Sequence, residues 1–318
     1  MKNSIFLLLT LTLSLNSFSQ KEREIGFYNV ENLFDTIDGI NDDAEFLPSA
    51  KTEWNLIRYE EKLAHINQVF ELFSNPLMIG MCEVENEAVV RDVLLHSKNL
   101  KRYGVVHYES PDARGIDVAL IYDSLTLKLV DSGKLRFVLP GKSEPSTRDI
   151  VWGKFAYKKD TIIGMVNHWP SRRGGETESD TFRLEAAKTA RVFVDSLLNV
   201  NSNYKIIAMG DLNDYPTNDA PKLLAEKLPE MITKASGDFG GSYNYKSTWD
   251  VLDHIMVSPG FMKKKGVCIV QGSGKIYSPE FLMSEYKEDK VPFRTYAGTK
   301  YLGGYSDHLP VSVKVILY

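Results

Sequence analysis

An α/β fold is what this sequence predicts, and three observations carry the prediction. Apolar runs of strand length recur along the chain, and segments with helical spacing of their apolar positions lie between them. The runs are near-continuous rather than alternating, which suits sheets covered on both faces. No repeat, low-complexity tract or Pro/Ser-rich linker follows residue 20. The reading is one α/β domain over residues 21–318, with helices packed outside β-sheets. A chain of 318 residues, 43% hydrophobic and 25% charged, can bury a sizeable core.

Residues 1–20 are set apart from this domain. Lys2 supplies a positive start, Ile5 to Leu15 form an apolar run broken only by Thr and Ser, and Ser17-Phe18-Ser19 flank a cleavage point near Ser19 or Gln20. That is the pattern of a signal peptide. The run is shorter than the roughly 20 apolar residues that span a bilayer, and no Cys follows it for lipid attachment. Export to the periplasm or beyond is expected, as a monomer with no transmembrane anchor in the mature form.

The expected strands are 24–30, 77–84, 118–122, 150–157, 161–167, 205–210, 254–258 and 310–317. Between them, Leu56, Tyr59, Leu63, Ile66, Phe70 and Phe73 step by three and four along one helix face, as do Phe182, Ala186, Ala190, Phe193 and Leu197. The formal net charge is −4. Loss of residues 1–20, which carry Lys2 and no acid, makes it one unit more negative. That argues against a tight polyanion-binding module and leaves an enzyme open. Cys82 and Cys268 do not need to pair in a chain this large. No Cys/His cluster has zinc spacing, and no His-x-x-x-His pair is present.

Polar residues gather where apolar strands end. Strand 24–30 carries Asn29, and 77–84 carries Glu83. Strand 161–167 runs into His168, and 205–210 runs into Asp211-Leu212-Asn213-Asp214. Asp253-His254 and Ser306-Asp307-His308 precede two more strands. One acid at a strand end is readily a turn residue, but the recurrence is not turn chemistry. Open α/β sheets place their sites in the crevice at strand ends. Carboxylates and amides without thiols suit a hard cation such as Mg²⁺ or Mn²⁺. Histidines beside carboxylates suit acid–base work, and arginines suit phosphate oxygens. Together they describe phosphoester hydrolysis.

Seven segments occur in order: Phe27-Tyr28-Asn29-Val30-Glu31-Asn32-Leu33-Phe34, Cys82-Glu83-Val84-Glu85-Asn86, Arg114-Gly115-Ile116-Asp117-Val118-Ala119, Asn167-His168-Trp169-Pro170, Gly210-Asp211-Leu212-Asn213-Asp214, Leu252-Asp253-His254-Ile255 and Ser306-Asp307-His308-Leu309-Pro310. The set resembles the endonuclease/exonuclease/phosphatase superfamily, and the resemblance covers residues 24 to 316. The resemblance implies a four-layer α/β sandwich, two mixed sheets face to face with helices outside. It implies Glu83 as the main metal ligand, with Asn29 and Asp307 beside it. Asp211 and Asn213 would position the attacking water and the phosphate. His308, oriented by Asp253, would be general base or phosphate-polarising group. His168 would protonate the leaving oxygen or hold the phosphate, with Asp117 as its orienting partner. Arg148 falls where a phosphate-binding Arg is expected, and Arg172 lies on an apparent basic rim.

Several residues have plainer readings. His254 alternates to the far face of its strand and reads as structural. The acidic stretch Asp35 to Glu45 offers carboxylates for a structural Ca²⁺, but its spacing departs from an EF-hand loop, and a solvated loop near the cleft is the reading. Lys263-Lys264-Lys265 reads as a turn. Trp54, Trp152 and Trp249 read as core, and Trp169 as a cleft-lining residue. A nuclease acting on DNA, and on RNA as well, is the preferred expectation. A sphingomyelinase-like phospholipid hydrolase or small-phosphoester hydrolase is its rival. Such a lipid enzyme would want an aromatic hairpin at the membrane surface. An inactive binding module would require a missing ligand or catalytic His, and none is missing.

Overall fold

The computed structural model describes residues 20–39, 43–172 and 176–318. Residues 1–19 of the expected leader, 40–42 of the acidic stretch and 173–175 of the basic rim lie outside the described residues.

The described chain holds eighteen strands: β1 Lys21–Leu33, β2 Pro76–Val84, β3 Tyr103–His107, β4 Asp117–Asp123, β5 Lys128–Leu135, β6 Ile150–Tyr157, β7 Asp160–His168, β8 Lys205–Asp211, β9 Tyr243–Tyr245, β10 Thr248–Asp250, β11 Asp253–Val257, β12 Val267–Ile269, β13 Lys275–Ile276, β14 Met283–Tyr286, β15 Asp289–Pro292, β16 Tyr296–Ala297, β17 Lys300–Tyr301 and β18 Val311–Leu317. The α-helices are α1 Leu56–Phe70, α2 Glu87–His96, α3 Glu176–Val200 and α4 Asp219–Ala225.

One sheet has the order β12-β18-β1-β2-β4-β3, with β13 also pairing β18; the other runs β11-β8-β7-β6-β5. Each contains one parallel pair, β1 with β2 and β7 with β8, bridged by α1 and α3 respectively. Antiparallel pairs complete both sheets, so each is mixed.

Alternation along the strands explains the layers. On β7, Ile162 and Val166 join the core between the sheets, while Ile163 and Met165 pack with Ala186, Ala187 and Ala190 of α3. On β8, Ile207 and Met209 face inward, and Ile206 and Ala208 face the helix side. The sheets abut so closely that a Cβ on Gly80 of β2 would meet Met209 Sδ at 2.7 Å. On the other flank, α1 buries Tyr59, Leu63, Ile66, Val69 and Phe70. Asn55 caps it by accepting from Arg58 N. Helix, sheet, sheet and helix are therefore the four layers expected.

The eight expected strands are all present, and 150–157 matches to the residue. Those not foreseen are short or polar. β5 is an edge strand with no buried residue, and the hairpins β9–β10, β14–β15 and β16–β17 have arms of two to four residues. Trp169 is fully buried in the core under α3, its Nε1 donating to Asn167 Oδ1, so it does not line the cleft. Trp54 is fully buried as expected, while Trp152 and Trp249 are half-buried at the core margins. Cys82 and Cys268 are both buried free thiols.

Candidate active site

Two β-α-β units, one in each sheet, point their carboxyl ends at the same place. The β1-α1-β2 unit delivers Asn29 and Glu83. The β7-α3-β8 unit delivers His168 and Asp211, which stand side by side in register. Asp253, the first residue of β11, faces Asp211 across the sheet. Asp307 and His308 arrive on the segment before β18. Parallel pairing brings strand ends to one side, and close packing of the sheets merges two crevices into one.

The backbone here is bent away from regular strand. Register shifts interrupt β1–β2 after Asn29 and β2–β4 after Cys82. Glu31, Asn32, Glu83 and Asn213 all have positive φ, between 49° and 63°. Such bulges re-aim side chains, and left-handed conformations at non-glycine residues cluster at functional sites. At Gly210 the need is for space: a Cβ would lie 2.2 Å from the Asn167 carbonyl oxygen.

Asp211 sits at the centre. Its Oδ1 accepts from Asn213 N at 2.8 Å, and its Oδ2 accepts from Asn29 Nδ2 at 3.1 Å. His168 Nε2 lies 3.7 Å from Oδ2, and His308 Nε2 lies 3.6 Å from the same oxygen. Asp253 Oδ2 holds His308 Nδ1 at 2.8 Å. Asn213 Nδ2 donates to the Trp169 carbonyl. Glu83 is held on two sides, by Asn32 N at 3.2 Å and Asn29 Nδ2 at 3.4 Å, and its Oε1 is 3.8 Å from His168 Nε2.

These environments divide the two imidazoles. Burial and the Arg148 and Arg114 charges hold the His168 pKa well below its ordinary value, so it is neutral. Burial works against charge on His308 too, but Asp253 and Asp211 outweigh it and raise its pKa well above the ordinary value. Burial, with Asp253 and Glu83 adding to it, pushes Asp211 up to about 7 against the opposing pull of His308. An imidazole that favours its proton suits a polarising group better than a base.

A second layer of charge was not legible in the sequence. Glu31 is buried and accepts from Arg294 Nε, Arg294 Nη2 and Thr295 N. Arg294 Nη2 also donates to Asp307 Oδ2 at 3.0 Å. The Lys62 ammonium is buried beside them, donating to Thr295 Oγ1 and the Tyr305 carbonyl. Burial lowers its pKa to about 8, while burial and Asp307 raise Glu31 to about 7. Glu31 had a local signal, two positions beyond Asn29. Lys62 and Arg294 had none, since nothing nearby in the sequence distinguishes them from surface cations. Beside this network lies a polar groove of about 310 Å³, lined by Glu31, Asn32, Phe46, Arg114, Arg294 and Tyr296 among others.

The donor set fits a hard divalent cation. Glu83 and Asp307 would hold it, with Asp211 next to Glu83 across the Asn29 amide, because such an ion takes carboxylate oxygens as ligands. Cys82 is close to His168 and Asp211, but burial raises its thiol pKa well above the ordinary value and leaves it a poor ligand. Asn29 departs from the expected role. Its Oδ1 accepts from Glu31 N and its Nδ2 faces Asp211 and Glu83, so it ties two carboxylates together instead of offering a ligand oxygen.

Three further expectations are corrected. Asp117 is not the partner of His168: its Oδ1 accepts from Ser110 N at 3.0 Å and its Oδ2 contacts His107 Nε2 at 3.2 Å. His168 Nδ1 has no hydrogen-bond partner among the described residues. Arg148 is a buried brace: its Nη1 donates to Asp112 and its Nη2 to the Trp169 carbonyl, both within 2.9 Å. Arg172 does stand beside Asn213, but its guanidinium donates to the Asn213 carbonyl and to Asp214, and stacks on Tyr215. His254 is structural as expected, fixed by Glu230 and the Asp214 carbonyl. From the acidic stretch, Asp43 accepts from Gly39 N, a contact of local loop structure. No helix among the described residues is long and apolar enough to cross a membrane.

A mixed two-sheet sandwich with carboxylates and histidines at joined strand ends defines a class of phosphoester hydrolase. The chain belongs to the Endonuclease/Exonuclease/phosphatase family, whose profile matches residues 24–316. Members of that superfamily are phosphoesterases and generally use divalent metals. Solved structures share the fold. A family protein from Bacteroides thetaiotaomicron superposes with a TM-score of 0.59 at 16% identity, covering 95% of this chain and 97% of that one. The human Nocturnin catalytic domain, solved with a bound sulfate anion, gives 0.57 at 16% identity over 93% and 95%. A mannosyl-6-phosphatase of Bacteroides thetaiotaomicron gives 0.56 at 16% identity over 92% and 99%. Comparison with curated proteins returns no match.

Proposed function

We propose that this chain is an exported phosphodiesterase that hydrolyses nucleic acid with Mg²⁺ or Mn²⁺ bound at Glu83 and Asp307. One observation carries the reading: the imidazoles of His168 and His308 face the same Asp211 oxygen, at 3.7 and 3.6 Å. A diester needs a base for water and a proton for the departing alkoxide, and the pair of unlike histidines around one carboxylate supplies sites for both.

Asp211, kept from ionising easily by burial, takes the proton of the attacking water. Asn213 Nδ2 and the neutral His168 orient the phosphate. The His308 imidazolium, fixed by Asp253, stabilises the charge growing on phosphorus-bound oxygen and supplies the proton as the P–O ester bond breaks. When bound, the cation supplies Lewis-acid polarisation of a phosphate oxygen. Arg114 and Arg294, which line the adjacent groove, offer charge to flanking phosphates. Export rests on the residue 1–20 pattern.

The rival substrate classes share this chemistry. The hairpins β9–β10 and β14–β15 favour a lipid surface to the extent that Tyr245 and Tyr286 are exposed on them. Plasmid DNA, single-stranded RNA, sphingomyelin and a sugar phosphate, each offered with Mg²⁺ and with EDTA, separate the classes. Metal-dependent plasmid nicking that His168→Ala abolishes supports the nuclease reading. Head-group release without nicking would replace it.

A further inference from the structure

We propose a second divalent-cation site outside the cleft, built from His107, Glu109 and Asp117 and suited to Zn²⁺. His107 is the last residue of β3, Asp117 the first of β4, and Glu109 lies on the loop joining them. Ligand atoms of the three lie within 4.8 Å of one another.

The His107 side chain is 3% exposed, as is that of Asp117. Its Nε2 sits 3.2 Å from Asp117 Oδ2, yet the two are not aligned as a hydrogen bond, and Nε2 has no hydrogen-bond partner among the described residues. A buried imidazole nitrogen aimed past a carboxylate in this way is costly unless something sits between them. Two ligands of one zinc ion, with bonds of about 2.0–2.1 Å at a tetrahedral angle, stand roughly 3.3 Å apart. The observed separation is that of co-ligands.

The surroundings support the same reading. Asp117 Oδ1 is occupied by Ser110 N, which fixes the carboxylate and leaves Oδ2 for an ion. The neighbouring ammonium of Lys134 is spent on the Glu109 backbone carbonyl and on Asp149. One imidazole nitrogen with two carboxylates, and water in the fourth position, suits Zn²⁺ better than Mg²⁺ or Ca²⁺, which prefer oxygen alone.

The ion would clip the loop between β3 and β4. That loop carries Asp112, which anchors Arg148, and Arg114, which lines the groove. The site is therefore a structural one that holds a cleft-facing loop in place without touching the reacting phosphate.

The test is a calorimetric titration with Zn²⁺ alone, without substrate, on chelator-stripped full chain carrying Glu83→Gln and Asp211→Asn to silence the cleft. One equivalent should bind, His107→Gln should abolish it, and Glu109→Gln should weaken it at least tenfold. Excess Mg²⁺ should not displace it. If the silenced protein fails to fold, zinc content after dialysis is compared instead between the unmutated chain and Glu109→Gln, an exposed position, with one equivalent expected to be lost. The proposal is overturned if no zinc binds, if the variants bind it like the parent while melting like it, or if Mg²⁺ competes equally. None of these outcomes depends on the hydrolytic reading.

Discussion

At the residue scale the site is a contest between burial and charge, and Asp211 shows it most directly. Its carboxyl is raised to about 7 by burial first, whereas an unfolded chain would ionise it near the ordinary carboxylate value. A raised carboxyl costs the fold stability as pH climbs from about 4 to 7, because the folded state holds the proton longer. Asp211→Asn should therefore raise the melting temperature at pH 8, and raise it less at pH 4, while abolishing hydrolysis. Equal melting shifts at both pH values would contradict the assignment. His168→Ala should lower kcat by roughly 10²-fold or more, because a misplaced phosphate loses its alignment with the attacking water, with steady-state kinetics as the readout. Arg148 belongs to stability, as a buried brace. Arg148→Ala removes the buried cation paired with Asp112, which keeps the Arg114 N–H, so the loss should lie below the about 3–5 kcal/mol of a fully broken buried pair, and denaturant unfolding would register it.

At the scale of elements, what was legible in the sequence is what strand ends make legible. Glu83, His168 and Asp211 each close an apolar run, so their convergence followed once the strands were placed. Asp117 also touches a strand end, but at the start of β4, and its partner His107 lies on a short strand whose five residues carry one buried position. No local pattern could join them. Arg294 and Lys62 meet Glu31 only because distant segments fold together, which spacing along the chain does not encode. Trp169 was misplaced because the residue after a catalytic histidine reads as cleft lining, while the alternation past β7 turns it under α3. Gly210 marks a tight junction between β7 and β8. Gly210→Ala should cost about 2 kcal/mol or more, since overpacking against backbone cannot relax through a side chain. Thermal unfolding of that variant at unchanged temperature would show the junction to be looser than described.

At the scale of the whole molecule, two β-α-β units in facing sheets act as one device. Neither alone gathers the site: packing them puts Asn29 of one beside Asp211 of the other at 3.1 Å, and the segment before β18 adds Asp307 and His308. Chelation should accordingly remove hydrolysis without unfolding this framework, because the sheets are joined by an apolar core that contains no metal ligand. Circular dichroism with EDTA should be native-like while turnover is lost.

The most direct test of the central claim is cleavage of supercoiled plasmid by the purified protein and by His308→Ala, with Mg²⁺ and with EDTA. The account predicts nicking that requires both the metal and His308. A folded, metal-loaded protein that cleaves neither the plasmid nor an activated phosphodiester such as bis-p-nitrophenyl phosphate would contradict it.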